Sequence, residues 1–209
     1  MYLCLEGIKG TGKTSAYEEI KKKLDEMNIS YSTICPTKPI TGFDIREILN
    51  SKFEFLRNSV FWSKWVYSHR SNFSAIRALK ENRSVIIGDR SKLTSYVVKR
   101  MQGKTWEQSF SLVDKTEKYI PIPDVIIYFK IDPAIAFQRV KNRKNKFSIK
   151  KDETLDALIS SGQFYNELKS FQSFPTLSKI RWIEVNGNDT PEQIAINAVS
   201  IISESLNQL

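Results

Sequence analysis

A chain of 209 residues, 41% hydrophobic and 26% charged, is long enough to bury a core and is ordinary enough in composition to form one globular domain. Lys plus Arg number 32 against 23 acids, and the formal net charge of +9 suits either a lysine-rich solvated surface or a basic cleft for phosphates or nucleic acid. Two cysteines, Cys4 and Cys35, make neither a disulfide framework nor a zinc spacing, no apolar run approaches the roughly 20 residues of a membrane helix, and no basic leader precedes Tyr2, so the chain reads as cytoplasmic.

The elements alternate along the chain. Tyr2–Glu6 reads as a short buried strand that runs into a glycine loop. Thr14–Met27 follows as a helix, with Ala16, Tyr17, Ile20, Leu24 and Met27 on one face. Ile29, Tyr31, Thr33 and Cys35 alternate as a strand ending at Pro36, and Val60–Glu81 reads as a long helix. Ser84–Gly88 and Val125–Ile131 are buried strands. Asp132-Pro133 then opens a helix by a cap followed by a proline in the first turn. Asp152–Phe171 is a further helix, Arg181–Val185 a last strand, and Thr190-Pro191 opens a terminal helix. Strand and helix in alternation predict an α/β fold with a parallel sheet covered on both faces. In such sheets ligands bind beyond the carboxyl ends of the strands, here after Glu6, Cys35, Asp89 and Val185.

Gly7-Ile8-Lys9-Gly10-Thr11-Gly12-Lys13-Thr14 matches the P-loop pattern G-x-x-x-x-G-K-[ST], with a strand before it and a helix after it. Glycines let backbone N–H groups curl round an anion, and the helix that follows aims its positive end at the same anion. Gly7, Lys9, Gly10, Thr11, Gly12, Lys13, Thr14 and Ser15 are the candidate ATP-binding residues. Lys13 is placed to reach the β- and γ-phosphates, and the Thr14 hydroxyl to ligate Mg²⁺.

Asp89-Arg90 ends the third strand. Asp89 is a candidate to hold the water shell of Mg²⁺, and Arg90 to grip an acceptor phosphate by paired hydrogen bonds. The run Arg139–Lys151 carries seven basic residues and no acid. Arg139 and Arg143 are four apart, hence on one helix face, and lead into a basic lid over about residues 140–152 that would exclude water and stabilise a transferring phosphoryl group. Read alone, the run also fits a solvated basic segment. Lys38, Arg46 and Arg70 complete the basic set, and an aromatic near Arg70, such as Trp65, is placed either to stack on a nucleobase or to pack in the core.

Four segments together resemble the thymidylate kinase family of nucleoside monophosphate kinases: LEGIKGTGKT from Leu5, CPTKPITGFDIR from Cys35, GDRSKLTS from Gly88, and PDVIIYFKIDPAIAFQRVKNR from Pro123. The resemblance implies one P-loop kinase domain over residues 1–209, with a three-layer fold and a five-stranded parallel sheet. It implies phosphoryl transfer from ATP to a (deoxy)nucleoside monophosphate with Mg²⁺, and a homodimer. By position, Lys13 and Thr14 would serve ATP and metal, and Arg139 and Arg143 would belong to the lid. Arg46, Arg70 and Arg90 would hold the acceptor, beside Thr94 at a family hydroxyl position. The chain departs from the family at Lys9 and Cys35, where acids are usual, at Val66, which aligns with the base-stacking aromatic, and at Ser91 for the usual tyrosine. The donor half matches; the acceptor half is altered.

Two other functions compete. Deoxynucleoside kinases share the fold, but they need a carboxylate base after the second strand to deprotonate a sugar hydroxyl, and that stretch reads Cys35-Pro36-Thr37-Lys38. A phosphate acceptor needs a cation there instead, and Lys38 supplies one. A non-catalytic nucleotide switch or nucleic-acid module is the second, although no nucleic-acid recognition motif is present.

Overall fold

The computed structural model describes residues 1–35, 71–143, 153–171 and 174–207. Lys38, Arg46, Trp65 and Arg70, together with the 144–152 part of the expected lid, lie outside them. The elements in order are β1 (Tyr2–Glu6), α1 (Lys13–Glu26), β2 (Tyr31–Ile34), α2 (71–80), β3 (Val85–Asp89), α3 (Lys92–Met101), α4 (Trp106–Thr116), β4 (Val125–Lys130), α5 (Pro133–Lys141), α6 (Leu155–Ser170), α7 (Pro175–Ser178), β5 (Arg181–Asn186) and α8 (Pro191–Leu206).

The five strands form one sheet in the order β2-β3-β1-β4-β5, and every pairing is parallel. Period-two alternation sends successive side chains of the central strands to opposite layers. Leu3, Leu5, Val125, Ile127 and Phe129 pack with Ala16, Tyr17, Ile20 and Leu24 of α1 and with Ile194, Ala198, Val199 and Ile202 of α8. Ile126 and Tyr128 face the other way, onto Leu93, Tyr96 and Val97 of α3, Phe110 and Val113 of α4, and Leu158 and Tyr165 of α6. Tyr2 and Cys4 share that second face further out, under Ala75 and Ala78 of α2. Both faces are covered, as continuous apolar strands require.

Both cap-plus-proline signals hold. Asp132 Oδ1 accepts from Ala134 N at 2.7 Å and Thr190 Oγ1 from Gln193 N at 3.2 Å, each ahead of a proline in the first turn. The boundaries differ from expectation where local bonds compete with the ladder. Asn28 is left-handed at φ 55° and Ile29 N donates back to Leu24 O at 2.9 Å, so β2 starts at Tyr31 and not at Ile29. Cys35 N donates to Ser74 Oγ at 3.1 Å, leaving the ladder, so β2 ends at Ile34. Met27 sits at the α1 C-cap and is exposed, outside the helix's apolar face. The helix expected from Asp152 starts at Leu155, after Thr154 accepts from Ala157 N at 3.2 Å. Helices α3 and α4 went unread, although α4 carries a signal: Thr105 and Gln108 form a reciprocal capping box.

Candidate active site

Strand β1 is central, and the chain leaves it and β3 in opposite senses: from β1 through α1 to β2 on one flank, from β3 by way of α3 and α4 to β4 on the other. A crevice opens at such a switch point, at the carboxyl ends of the strands. The loop from Gly7 to Gly12 lies in this crevice. Its turn is built by close approach: at Gly10 (φ 89°) a Cβ would overlap the Ala136 carbonyl oxygen of α5 and come within 3.0 Å of its carbon. Gly7 is in the same position against β4, where a Cβ would lie 2.9 Å from Phe129 O.

Lys13, the first residue of α1, is buried. Its ammonium donates to Gly7 O at 2.9 Å, Ile8 O at 2.6 Å and Thr11 Oγ1 at 2.9 Å, curling back over its own loop. Burial pushes its pKa well below the ordinary lysine value; Arg90 and, less, Arg143 add to this, while Asp89 and Glu6 oppose it. Lys13, Asp89, Arg90 and Arg143 are thus one electrostatic group, drawn from α1, the end of β3 and the turn that follows α5. Thr14 Oγ1 donates to Asp89 Oδ2 at 3.3 Å, joining the two expected metal-side oxygens. Thr14 and Ser15 are exposed at the head of α1.

A chain with this fold and cradle matches known proteins over nearly its whole length. The thymidylate kinase family model covers residues 5–188. Similar chains include a thymidylate kinase from Leptospira borgpetersenii, 25% identical over 100% of this chain and 96% of that one. Two probable thymidylate kinases also match: one from Sulfolobus acidocaldarius, 28% identical over 98% and 97% of the two chains, and one from Picrophilus torridus, 26% identical over 99% and 97%. The chain belongs to the thymidylate kinase family. It is a nucleotide kinase, a phosphotransferase, and the five-stranded parallel sheet is the fold expected for that family.

Within this kinase the two arginines expected in a lid part company. Arg143 lies near enough to Lys13 to depress its pKa. Arg139, one turn earlier, instead donates to Gly187 O at 2.6 Å and Asn188 Oδ1 at 2.8 Å, on the loop between β5 and α8. Lys9 forms an ion pair at 3.6 Å with the buried Glu153, just ahead of α6. Thr94 lies on α3 beneath Arg90, whose Nη1 donates to Thr94 Oγ1 at 3.3 Å.

Glu6 and Tyr165 escaped the sequence reading. Both are buried side by side behind Arg90, with Tyr165 OH donating to Glu6 Oε2 at 2.8 Å. A carboxylate ending a fully apolar strand was the available signal for Glu6, since a buried acid without partners is too costly to keep.

Proposed function

We propose that the chain transfers the γ-phosphoryl group of MgATP to a deoxynucleoside monophosphate, and the names of its relatives make dTMP the first acceptor to try. The observation that carries this is the convergence of Lys13, Thr14, Asp89 and Arg90 at the carboxyl ends of β1 and β3, with Thr14 and Asp89 in hydrogen-bond contact at 3.3 Å.

The donor side is Gly7, Lys9, Gly10, Thr11, Gly12, Lys13, Thr14 and Ser15. The backbone N–H groups and the α1 N-terminus bind the phosphates. Lys13, now bonded to its own loop carbonyls, exchanges those oxygens for β- and γ-phosphate oxygens, which lifts its depressed pKa by pairing it with an anion. The Thr14 hydroxyl and the Asp89 carboxylate are hard oxygen donors suited to Mg²⁺, an ion commonly held by one or two protein oxygens plus substrate phosphates. Bound there, the ion would neutralise phosphate charge.

On the acceptor side Arg90 grips the 5′-phosphate, assisted by Lys38, Arg46, Trp65, Arg70 and Thr94. An acceptor phosphate oxygen attacks the γ-phosphorus in line as the bond to the β-phosphate oxygen breaks, leaving ADP. The acceptor is already anionic near pH 7 and requires no carboxylate base. Arg143 stabilises the equatorial oxygens during transfer. Arg139, bonded to Gly187 and Asn188, fastens the start of the lid to the loop after β5 and serves donor binding through that anchorage, a different task from its neighbour's. We also expect a homodimer; Phe73 and Tyr119, exposed beside the Asn72–Tyr119 hydrogen bond that joins α2 to the segment after α4, offer apolar surface to it.

The test is an acceptor panel with MgATP. ADP release is expected with at least one monophosphate. Turnover of unphosphorylated nucleosides alone would overturn the assignment in favour of a nucleoside kinase.

A further inference from the structure

The Glu6 carboxylate takes no part in the transfer described above, yet it is fully buried between its two halves, at the end of β1. Among the described residues four donors reach it. Ser91 N and Ser91 Oγ donate to Oε1, both at 2.7 Å. Thr94 Oγ1 donates to Oε2 at 2.6 Å and Tyr165 OH at 2.8 Å. Two donors on each oxygen use the whole accepting capacity of a carboxylate.

These donors surround Arg90. Its backbone is left-handed at φ 75°, a conformation that a side chain with a Cβ disfavours. The peptide groups on both sides of it are tied to the end of β1: Arg90 N donates to Leu5 O at 3.2 Å, and Ser91 N to Glu6. The guanidinium is tied as well. Thr94 gives its proton to Glu6, so its oxygen lone pair is left to accept from Arg90 Nη1 at 3.3 Å.

We propose that Glu6 is the positioning residue of the acceptor half, aiming Arg90 at the cleft through the Ser91 peptide on one side and the Thr94 hydroxyl on the other. The inference rests on the reading that Arg90 holds the acceptor phosphate. A carboxylate is required, and not merely a polar group of that size. Gln would offer one accepting oxygen and one NH₂. Turned toward Ser91, the NH₂ opposes an N–H donor. Turned toward Thr94, it sends the Thr94 proton toward the guanidinium and repels it.

The experiment is steady-state kinetics of Glu6→Gln with dTMP and ATP varied separately, on protein whose near-ultraviolet dichroism matches the unsubstituted chain. The KM for dTMP is expected to rise about tenfold, the usual effect of losing a hydrogen bond to a charged group, while the KM for ATP moves less than about twofold. Glu6→Asp, which keeps the charge, should recover part of the loss. Thr94→Val, which cuts the side-chain link and leaves the Ser91 peptide link in place, should also raise the KM for dTMP, and the double variant should be no worse than the poorer single one. Equal rises in both KM values, a lowered melting temperature with unchanged kinetics, or full additivity would each show that Glu6 merely holds the fold. The Arg90 Nε–Hε resonance of the ligand-free protein reads the same link without an acceptor. It should shift in Glu6→Gln, and an unmoved resonance overturns the inference. If the unsubstituted protein phosphorylates no monophosphate, the functional reading fails, and that resonance alone decides whether Glu6 aims Arg90.

Discussion

The proposed donor and acceptor halves of this site are built in opposite ways. The donor cradle is one continuous stretch, Gly7 to Thr14, whose internal bonds span a few residues: Lys13 reaches back only to Gly7, Ile8 and Thr11. The acceptor end of β3 is assembled from three distant parts of the chain. Glu6 meets Ser91 across 85 residues and Tyr165 across 159. A local loop is shaped by its own glycines and by the helix it opens. A distributed site depends on strand register, because only the pairing of Leu5 with Asp89 brings Glu6 beside Ser91. The first is therefore expected to fail by losing chemistry, and the second by losing aim.

That contrast can be broken at several points. The largest effect is expected for Lys13→Ala. Turnover should fall by about a thousandfold, as for loss of a preorganised charge at a transferring group, while thermal unfolding hardly changes because a buried cation is removed. A loss of folding instead would make Lys13 a structural residue of the cradle. Next come the cradle glycines. Gly10→Ala meets the Ala136 carbonyl and is expected to cost roughly 3 kcal/mol by urea unfolding; Gly12→Ala, equally left-handed at φ 88° but with nothing within 4 Å, should cost about 1 kcal/mol. Equal costs would show that backbone strain alone, and not contact with α5, shapes the loop.

Arg139 of α5 and Arg143, two residues beyond the helix, sharpen the division within the donor half. Arg143→Ala should lower kcat about thirtyfold, whereas Arg139→Ala should chiefly raise the KM for ATP, by about tenfold. The same kinetic signature in both would reunite them as lid residues.

A last effect concerns α3 and α4, behind Arg90. Glu117 is buried and accepts from Ser95 Oγ at 2.7 Å; burial pushes its pKa up to about 7, against the partial opposition of Ser95, Lys92 and Lys99. The folded state thus binds a proton that the unfolded state releases near its ordinary value of 4.5. The stabilisation is full below that value and is lost as pH rises through about 7, a fall of about 3 kcal/mol measured by urea unfolding. Glu117→Gln should flatten that slope. A slope that survives the substitution would place the titrating group elsewhere.

Much of this molecule was legible because its signals are local. The phosphate loop needs particular residues at particular spacings, and Asp132-Pro133 and Thr190-Pro191 announce helices through bonds made within three residues. Asp89-Arg90 could be placed at a strand end, and parallel sheets put their chemistry at strand ends. Other features escaped because they follow from competition or from distance. Ile29 and Cys35 look like strand residues until Leu24 and Ser74 claim their N–H groups. Arg139 and Arg143 would share a helix face by spacing, but α5 ends at Lys141, so Arg143 lies beyond it; the loop after β5 captures Arg139, and nothing near residue 139 records where that loop will lie.

Glu6 shows the limit most clearly. Its neighbour Gly7 begins the motif that marks the chain as a binder of nucleotide phosphates, and that motif is written in eight consecutive residues. The job of Glu6 is written nowhere locally. It exists because three parallel strands, β3, β1 and β4, bring α3 and α6 over one buried carboxylate, whose burial is tolerable only with all its lone pairs filled. Short-range geometry decided what kind of ligand this chain binds; long-range packing decided how Arg90 is held at the end of β3.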